Sequence, residues 1–468
     1  MSVQTMQRSL EKALSRALQA DDRELAGRVR DEGQRMLFLL NGLIRTCRLY
    51  TSDNAAFEGP SAEVSRLLTG LLQLLGAVHV VCVEDQVYIN DVRLRVRPND
   101  QDVLTNLIEE MGRHDVGGVS FHMPLDPSMV RDLARALSDP VADPAAPRLA
   151  LARRLAPTVP LVELTGRYRF RLKGEQAPVR REFGEILRQG TAVAREAFAN
   201  LALGRLPNPL PVRRAVIDLV DSLREDAGRA AAAPLRRRGH GVGDQHLLSV
   251  SSLAIQLGLR MGLDDAALSD LGVTAMLHDV GYIQKADRDG HATAGARVLL
   301  RQRGFHEGKI RRLLAVIEHH ESAEARPSLF ARILRIVDDY DVLTAARPGQ
   351  PQMPPATAQA AMWAARGTIY DADLLALFVQ MMGLYPPGSL LELSDGRLVV
   401  SVSGGRDPDR FAWPIVRVVR DSPGAVSDSV GPVDLYEIRE KVKPKRVVNP
   451  ATHSIDVADV LNQVLDRN

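Results

Sequence analysis

Seven of the eleven histidines fall between residues 240 and 320: His240, His246, His278, His291, His306, His319 and His320. Neutral imidazole is the commonest side-chain metal ligand, and imidazoles mixed with carboxylates hold divalent cations. The spacing sorts them. His246 shares a helical face with Val250, Leu253 and Leu257, so it points inward. His278 and Asp279 close the apolar run "LSDLGVTAML". His291 opens "HATAGARVLL", where Gly295 one turn on allows a close approach, and His319-His320 close "IRRLLAVIE". Asp338 ends the apolar run "ARILRIV". Ligand-type residues at successive helix ends can converge on one metal site in a bundle. A lone His-Asp pair carries no such weight: His114-Asp115 has no comparable partners and reads as a loop pair. His240 and His306 have no place in the series and read as surface residues.

The elements that must position these groups follow from periodicity. Leu247, Val250, Ala254, Leu257 and Met261 recur at steps of three and four, one core-facing stripe of a helical region. The expected architecture is α+β and multidomain. Residues 1–140 form an N-terminal mixed α/β unit, with a long helix over 24–50, an antiparallel meander over 78–96, helices near 102–113 and 127–138, and a strand over 117–122. Residues 141–235 read as linker and helical segment, and 236–384 as an all-α metal-dependent bundle. Residues 385–422 read as a small β segment with a hairpin over 390–403 and a strand over 413–420, and 423–468 as a tail.

Composition limits the function classes. Lys+Arg at 60 against Asp+Glu at 58 leaves a net charge of +2, which is no footprint for a nucleic-acid polymer. Cys47 and Cys82 are the only cysteines, too few for a disulfide framework. The start lacks a signal-peptide core. The run "LLTGLLQLLGAVHVVCV" (67–83) is short for a membrane span and polar at Thr69, Gln73 and His79, so it reads as a buried helix and a strand. A cytoplasmic protein without membrane contact is the expectation.

The ordered series, with "HLLSVSSLAIQLG", "LHDVG", "HATAG", "HHE" and "RILRIVDDYDVLTAARP", resembles the HD superfamily of metal-dependent phosphohydrolases, most closely its HD-GYP branch, over about residues 205–420. The resemblance implies two divalent transition-metal ions bridged by Asp279. His246, His278 and Asp338 would complete one set, and His291, His319 and His320 the other. Iron or manganese suits such ligands, and zinc is compatible with them. A glutamate that holds a third metal in some members is replaced by Val242. His278 and Asp279 would be the catalytic pair, and Asp341, Arg347 and Tyr282 would line the substrate position. The implied substrate is cyclic di-GMP or a related nucleotide second messenger, hydrolysed at a phosphodiester.

The chain departs from that pattern in three places. The "DGxGYP" loop is missing, because "HHESAEARPSLFARIL" reaches the next helix directly. Tyr282 stands where many members carry a lysine near the substrate phosphate, and Gln350 where a basic residue often follows. A phenol donates a hydrogen bond but brings no positive charge. Three readings therefore stand: a divergent phosphodiesterase, a catalytically inactive signalling module that binds a nucleotide or a protein, or a different HD chemistry such as a phosphatase acting on a nucleoside phosphate. The N-terminal region is open to a homodimer contact or a protein partner, and the sequence does not identify its input.

Overall fold

The structure, a computed structural model, describes residues 3–50, 55–83, 86–90, 92–94, 101–159, 162–167, 183–225, 244–284, 290–301, 307–345, 352–403, 408–421 and 431–465. The chain divides into two compact units. One comprises Met1–Glu175, Ala197–Pro211 and Val298–Ile310; the other comprises Gln176–Glu196, Val212–Arg297 and Arg311–Asn468. Among the described residues no helix is long and apolar enough to cross a membrane.

The first unit rests on an antiparallel sheet of order β3-β2-β1-β4-β5. Its strands are β1 (Val78–Val83), β2 (Gln86–Ile89), β3 (Val92–Arg93), β4 (Gly118–Phe121) and β5 (Val162–Thr165). Strand side chains alternate between faces. Val78, Val80, Val119 and Phe121 thus enter a core with Leu37 and Ile44 of helix α1 (Val3–Leu49) and Leu68 and Leu71 of α2 (Glu58–Leu75). His79 and Ser120, paired across β1 and β4, occupy the opposite face. Helices α3 (Gln101–Arg113), α4 (Pro127–Ser138) and α5 (Pro147–Leu155) complete the unit's regular elements up to β5. The Asp126 side chain starts α4 by accepting from the amides of Ser128 and Met129.

The expected end of this unit at residue 140 falls short, because β5 adds an edge strand twenty residues later. A four-residue strand with every side chain half-buried carries little periodic signal. His114-Asp115 follows α3 as a loop pair, yet His114 is buried and its Nε2 lies 3.2 Å from the Leu137 carbonyl.

Helices α6 (Phe183–Ala202) and α7 (Pro209–Glu225) run through the ranges of both units. The second unit holds α8 (Asp244–Arg260), α9 (Asp265–Leu277), most of α10 (His291–Leu300) and of α11 (Glu307–Glu318), α12 (Leu329–Thr344), α13 (Pro355–Ala364) and α14 (Ala372–Met382). The stripe read from the sequence is the buried face of α8. Val250, Leu253, Ala254 and Leu257 pack with Leu271 and Ala275 of α9, Ile333, Val337 and Tyr340 of α12, and Phe378 of α14. Asp264 caps α9 by accepting from the Ala267 amide. The rest of that helix is buried nearly all round, from Leu268 to Leu277. A helix apolar on every side runs through the interior, so the residues that follow it are delivered inside the protein.

The second sheet is antiparallel, of order β10-β6-β7-β8-β9. It comprises β6 (Leu390–Leu393), β7 (Leu398–Ser401), β8 (Ile415–Arg420), β9 (Val433–Asp434) and β10 (Pro444–Val447), and helix α15 (Val457–Leu465) follows. The expected tail over 423–468 therefore supplies both edge strands and a helix. Its basic composition has a local cause. Lys445 and Arg446 on edge strand β10 pair with Glu392 on β6, and charged edges of this kind resist further strand pairing.

Candidate metal centre

The seven ligand-type residues of the sequence series converge within the second unit. His246, the third residue of α8, is buried, with its Nδ1 2.6 Å from Asp341 Oδ2. His246 Nε2 then lies 3.3 Å from Asp279 Oδ2 and 3.3 Å from Asp338 Oδ1. His278, the C-cap of α9, has Nδ1 2.7 Å from the Ala275 carbonyl. His319, just beyond α11, repeats this arrangement with Val316 at 2.8 Å. A carbonyl can only accept, so Nδ1–H donates in both, and each Nε2 lone pair faces the interior.

Asp279 connects two ligand sets. Its Oδ2 faces His246, while its Oδ1 lies 3.5 Å from His278 Nε2, 3.4 Å from His291 Nε2 and 3.9 Å from His319 Nε2. His246, His278 and Asp338 converge closely enough to hold one ion; so do His291, His319 and His320, and so do His278, Asp279 and His319. His291 Nε2 stands 3.2 Å from both His319 Nε2 and His320 Nε2. Ligands about 2.1 Å from one ion are themselves separated by roughly 3.0–3.4 Å. His278 Nε2 is buried with no hydrogen-bond partner among the described residues. Inward lone pairs at this spacing, one of them orphaned, fit shared cations.

Charge divides the site. Burial alone would pull His246 down, but hydrogen bonds to Asp279 and Asp341 and the nearby Asp338 charge outweigh it and hold the imidazole up at about 10. His278 is raised too: burial opposes the shift, and the charges of Asp279 and Asp338 overcome it. Burial pushes Asp279 upward, yet the adjacent His278 and His246 bring it down to about 2. Asp338 is lowered by the same imidazoles despite its burial. Burial, reinforced by neighbouring imidazolium charge, holds His319 down at about 3, and burial lowers His320 as well. The acid-rich set thus retains protons where no cation balances it, while His319 and His320 offer neutral donors.

Close backbone packing sets the spacing between the sets. A Cβ at Gly281 would fall 1.8 Å from the His291 carbonyl oxygen and 2.7 Å from the Gly295 nitrogen. Only two glycines allow the turn after Asp279 to lie on the start of α10, where His291 projects. Tyr282 stacks on His291 with ring centroids 4.2 Å apart and planes 7° from parallel, and it is 40% exposed.

Two expectations need correction. Asp338 does not end its helix: α12 continues to Thr344, and Asp338 and Asp341 share one buried face at i, i+3. Asp341 does not line an open substrate position. It is 1% exposed, and its oxygens face His246 Nδ1 and the Ser249 hydroxyl, so it orients the imidazole from behind. His240, Val242, His306, Arg347 and Gln350 lie outside the described residues. The sequence reading also missed Arg335, which donates to the His320 carbonyl at 2.6 Å and pairs with Asp339, itself accepting from the Tyr370 hydroxyl. The i, i+4 step from Arg335 to Asp339 was the available signal.

Comparison with known proteins agrees with this constellation. The HD domain family matches residues 243–343, and a second family described as HD domain matches residues 321–374. Together the two matches span residues 243–374, which supports an HD-superfamily phosphohydrolase domain over that stretch. The HD domain is metal-dependent as a class, in keeping with the clusters found here. The chain is 29% identical over 183 residues to the cyclic di-GMP phosphodiesterase PA4108 of Pseudomonas aeruginosa, a match covering 33% of this chain and 43% of that protein. It thus spans less than half the length of that curated relative. Among solved structures it is similar to Bd1817, a HDG"Y"P protein from Bdellovibrio bacteriovorus, at 14% identity and a TM-score of 0.33, covering 65% of this chain and 94% of that one.

Proposed function

We propose that the HD domain is a divergent HD-GYP-like phosphodiesterase that adds water across a phosphodiester of cyclic di-GMP or a related nucleotide, using a dinuclear metal centre. The observation that carries this reading is Asp279, whose two oxygens face two separate ligand sets. His246, His278 and Asp338 would hold one cation and His291, His319 and His320 the other. Two divalent cations bound there would supply an acidified water and screen phosphate charge. Asp279 keeps the two sets in register and carries the negative charge between them. Asp341 and the Ala275 and Val316 carbonyls hold proton-bearing Nδ1 atoms outward, so the ring nitrogens facing the centre remain donors of electron pairs. The half-exposed Tyr282 lies at the solvent side of His291, where its hydroxyl can donate to a phosphate oxygen. The similarity to a cyclic di-GMP phosphodiesterase supports the substrate class.

The test is incubation of iron- or manganese-loaded protein with cyclic di-GMP and a panel of nucleotides, read by chromatography. The expected outcome is a linear dinucleotide whose formation is abolished in His278→Ala and Asp279→Ala. Binding without cleavage would assign the domain to a signalling module, a reading favoured by Tyr282 at a position where many family members carry a cation. Protein that takes up no transition metal under any loading condition would refute the dinuclear assignment.

A further inference from the structure

A cavity in the same unit lies away from the metal-ligand candidates. It has a volume of about 750 Å³ and lies among Arg260 of α8, Ala356, Gln359, Ala360 and Trp363 of α13, Ala376, Val379 and Gln380 of α14, and Leu384 and Phe411. Volumes of this order are typical of small-molecule pockets. Arg260 and His246 stand near opposite ends of α8, about 21 Å apart along its axis. The cavity is therefore separate from the metal centre.

Its walls have a definite chemistry. Ala356 and Ala360 follow one another by a helical turn on α13, and Ala376 lines the slot from α14. Small residues on facing helices keep a slot open where larger ones would fill it. Trp363 is 45% exposed although its ring is oriented by the Arg366 guanidinium, 4.9 Å from the ring centre. Leu384 and Phe411 are joined by a backbone hydrogen bond of 2.8 Å. Gln359 is 6% exposed, and its Nε2 donates to the Gly383 carbonyl at 3.0 Å. That bond fixes the amide orientation and leaves Oε1 buried without a partner among the described residues. Buried acceptors left unpaired are destabilising, so this one marks a place for a donor from outside the chain. Arg260 adds positive charge at the rim.

We propose that this cavity is a binding site for a planar aromatic compound carrying an N–H donor and one acidic group. The ring system would occupy the alanine-walled slot against Trp363. The N–H would reach Gln359 Oε1 after a small side-chain adjustment, and the acidic group would face Arg260. The site requires neither the metal ions nor the proposed hydrolysis.

The probe is 8-anilinonaphthalene-1-sulfonate, which has a fused ring, an anilino N–H and one sulfonate. Titration of the full chain, followed by energy transfer from tryptophan to the bound dye, should show one saturable site. Ala360→Phe, which fills the slot, should abolish it, and Gln359→Met should weaken it about fivefold or more. Arg260→Gln, a surface change that leaves the core intact, should weaken it as well, while His278→Ala should leave it unchanged. Non-saturable binding, several equivalent dyes per chain, or affinity indifferent to both Ala360→Phe and Arg260→Gln would overturn the proposal.

Discussion

Asp341 shows how one residue governs another's chemistry. Its carboxylate receives His246 Nδ1 at 2.6 Å from inside the protein, so the other ring nitrogen must face Asp279 and Asp338. Asp341→Asn preserves the shape and can still accept from Nδ1–H, but it removes the charge that favours an electron-rich imidazole. Metal affinity should fall about 10- to 100-fold, measured by competition with a chromophoric chelator, with the fold intact by circular dichroism. Equal affinity in the variant would show that Asp341 serves packing alone. Tyr282 acts on the other ligand set. Aromatic pairs contribute about 0.5–1.5 kcal/mol beyond their area, so Tyr282→Ala should lower occupancy by His291's ion severalfold, whereas Tyr282→Phe, which keeps the stack, should not. Metal content of the two variants after dialysis separates stacking from any role of the phenol hydroxyl. The types and order of the metal-ligand candidates were legible in the sequence, because each sits on an interpretable apolar run. The role of Asp341 was not, because a carboxylate aimed at solvent and one aimed at an imidazole have the same sequence signature.

At the scale of elements, the site depends on how tightly the turn after α9 lies on the start of α10. The pattern "LHDVG" followed by "HATAG" made a close approach legible, since a glycine in each segment permits backbone contact. The distance was not legible, and it is what sets the sensitivity. Gly281→Ala would place a methyl 1.8 Å from a carbonyl oxygen, so the two segments must separate. Overpacking of this kind costs about 1–3 kcal/mol or more. Chemical denaturation should show at least that loss, and the metal content should fall with it because His291 moves away from His319. A variant with native stability and full metal content would show that the segments separate freely. Helix ends were legible to within a few residues except at two places: α1 starts at Val3 rather than at residue 24, and at Asp338 the apolar run pauses for a buried acidic face and resumes at Tyr340. The C-terminal edge strands escaped for a related reason. Periodicity fails in strands of two to four residues, and the charges on β10 answer a glutamate on another strand.

At the scale of the molecule, the two units bury imidazoles under opposite conditions. The candidate metal centre surrounds His246 with carboxylates. The N-terminal sheet instead buries His79 on the face opposite its apolar core, with Nδ1 2.8 Å from the Ser120 hydroxyl. Facing it are the His122 ring at 5.7 Å and, beyond that, Glu163, which is 3.3 Å from His122 and 3.9 Å from Arg205. Burial, aided by the nearby His122, pulls His79 down to about 3, and neither Glu163 nor a backbone hydrogen bond to Leu206 restores it. The unfolded chain accepts a proton near pH 6.5, but the folded unit accepts it only near pH 3. The neutral imidazole's contribution is therefore fully present above pH 6.5 and is lost progressively as pH falls towards 3. The slope is at most about 1.4 kcal/mol per pH unit for one proton. His79→Leu removes the titrating group from the same site. The stability difference between wild type and this variant, from denaturant titrations at several pH values, should be constant above pH 7 and should shift against the wild type below pH 6. A difference that is the same at pH 4.5 and pH 7.5 would mean that His79 takes up its proton in the folded unit as readily as in the unfolded chain.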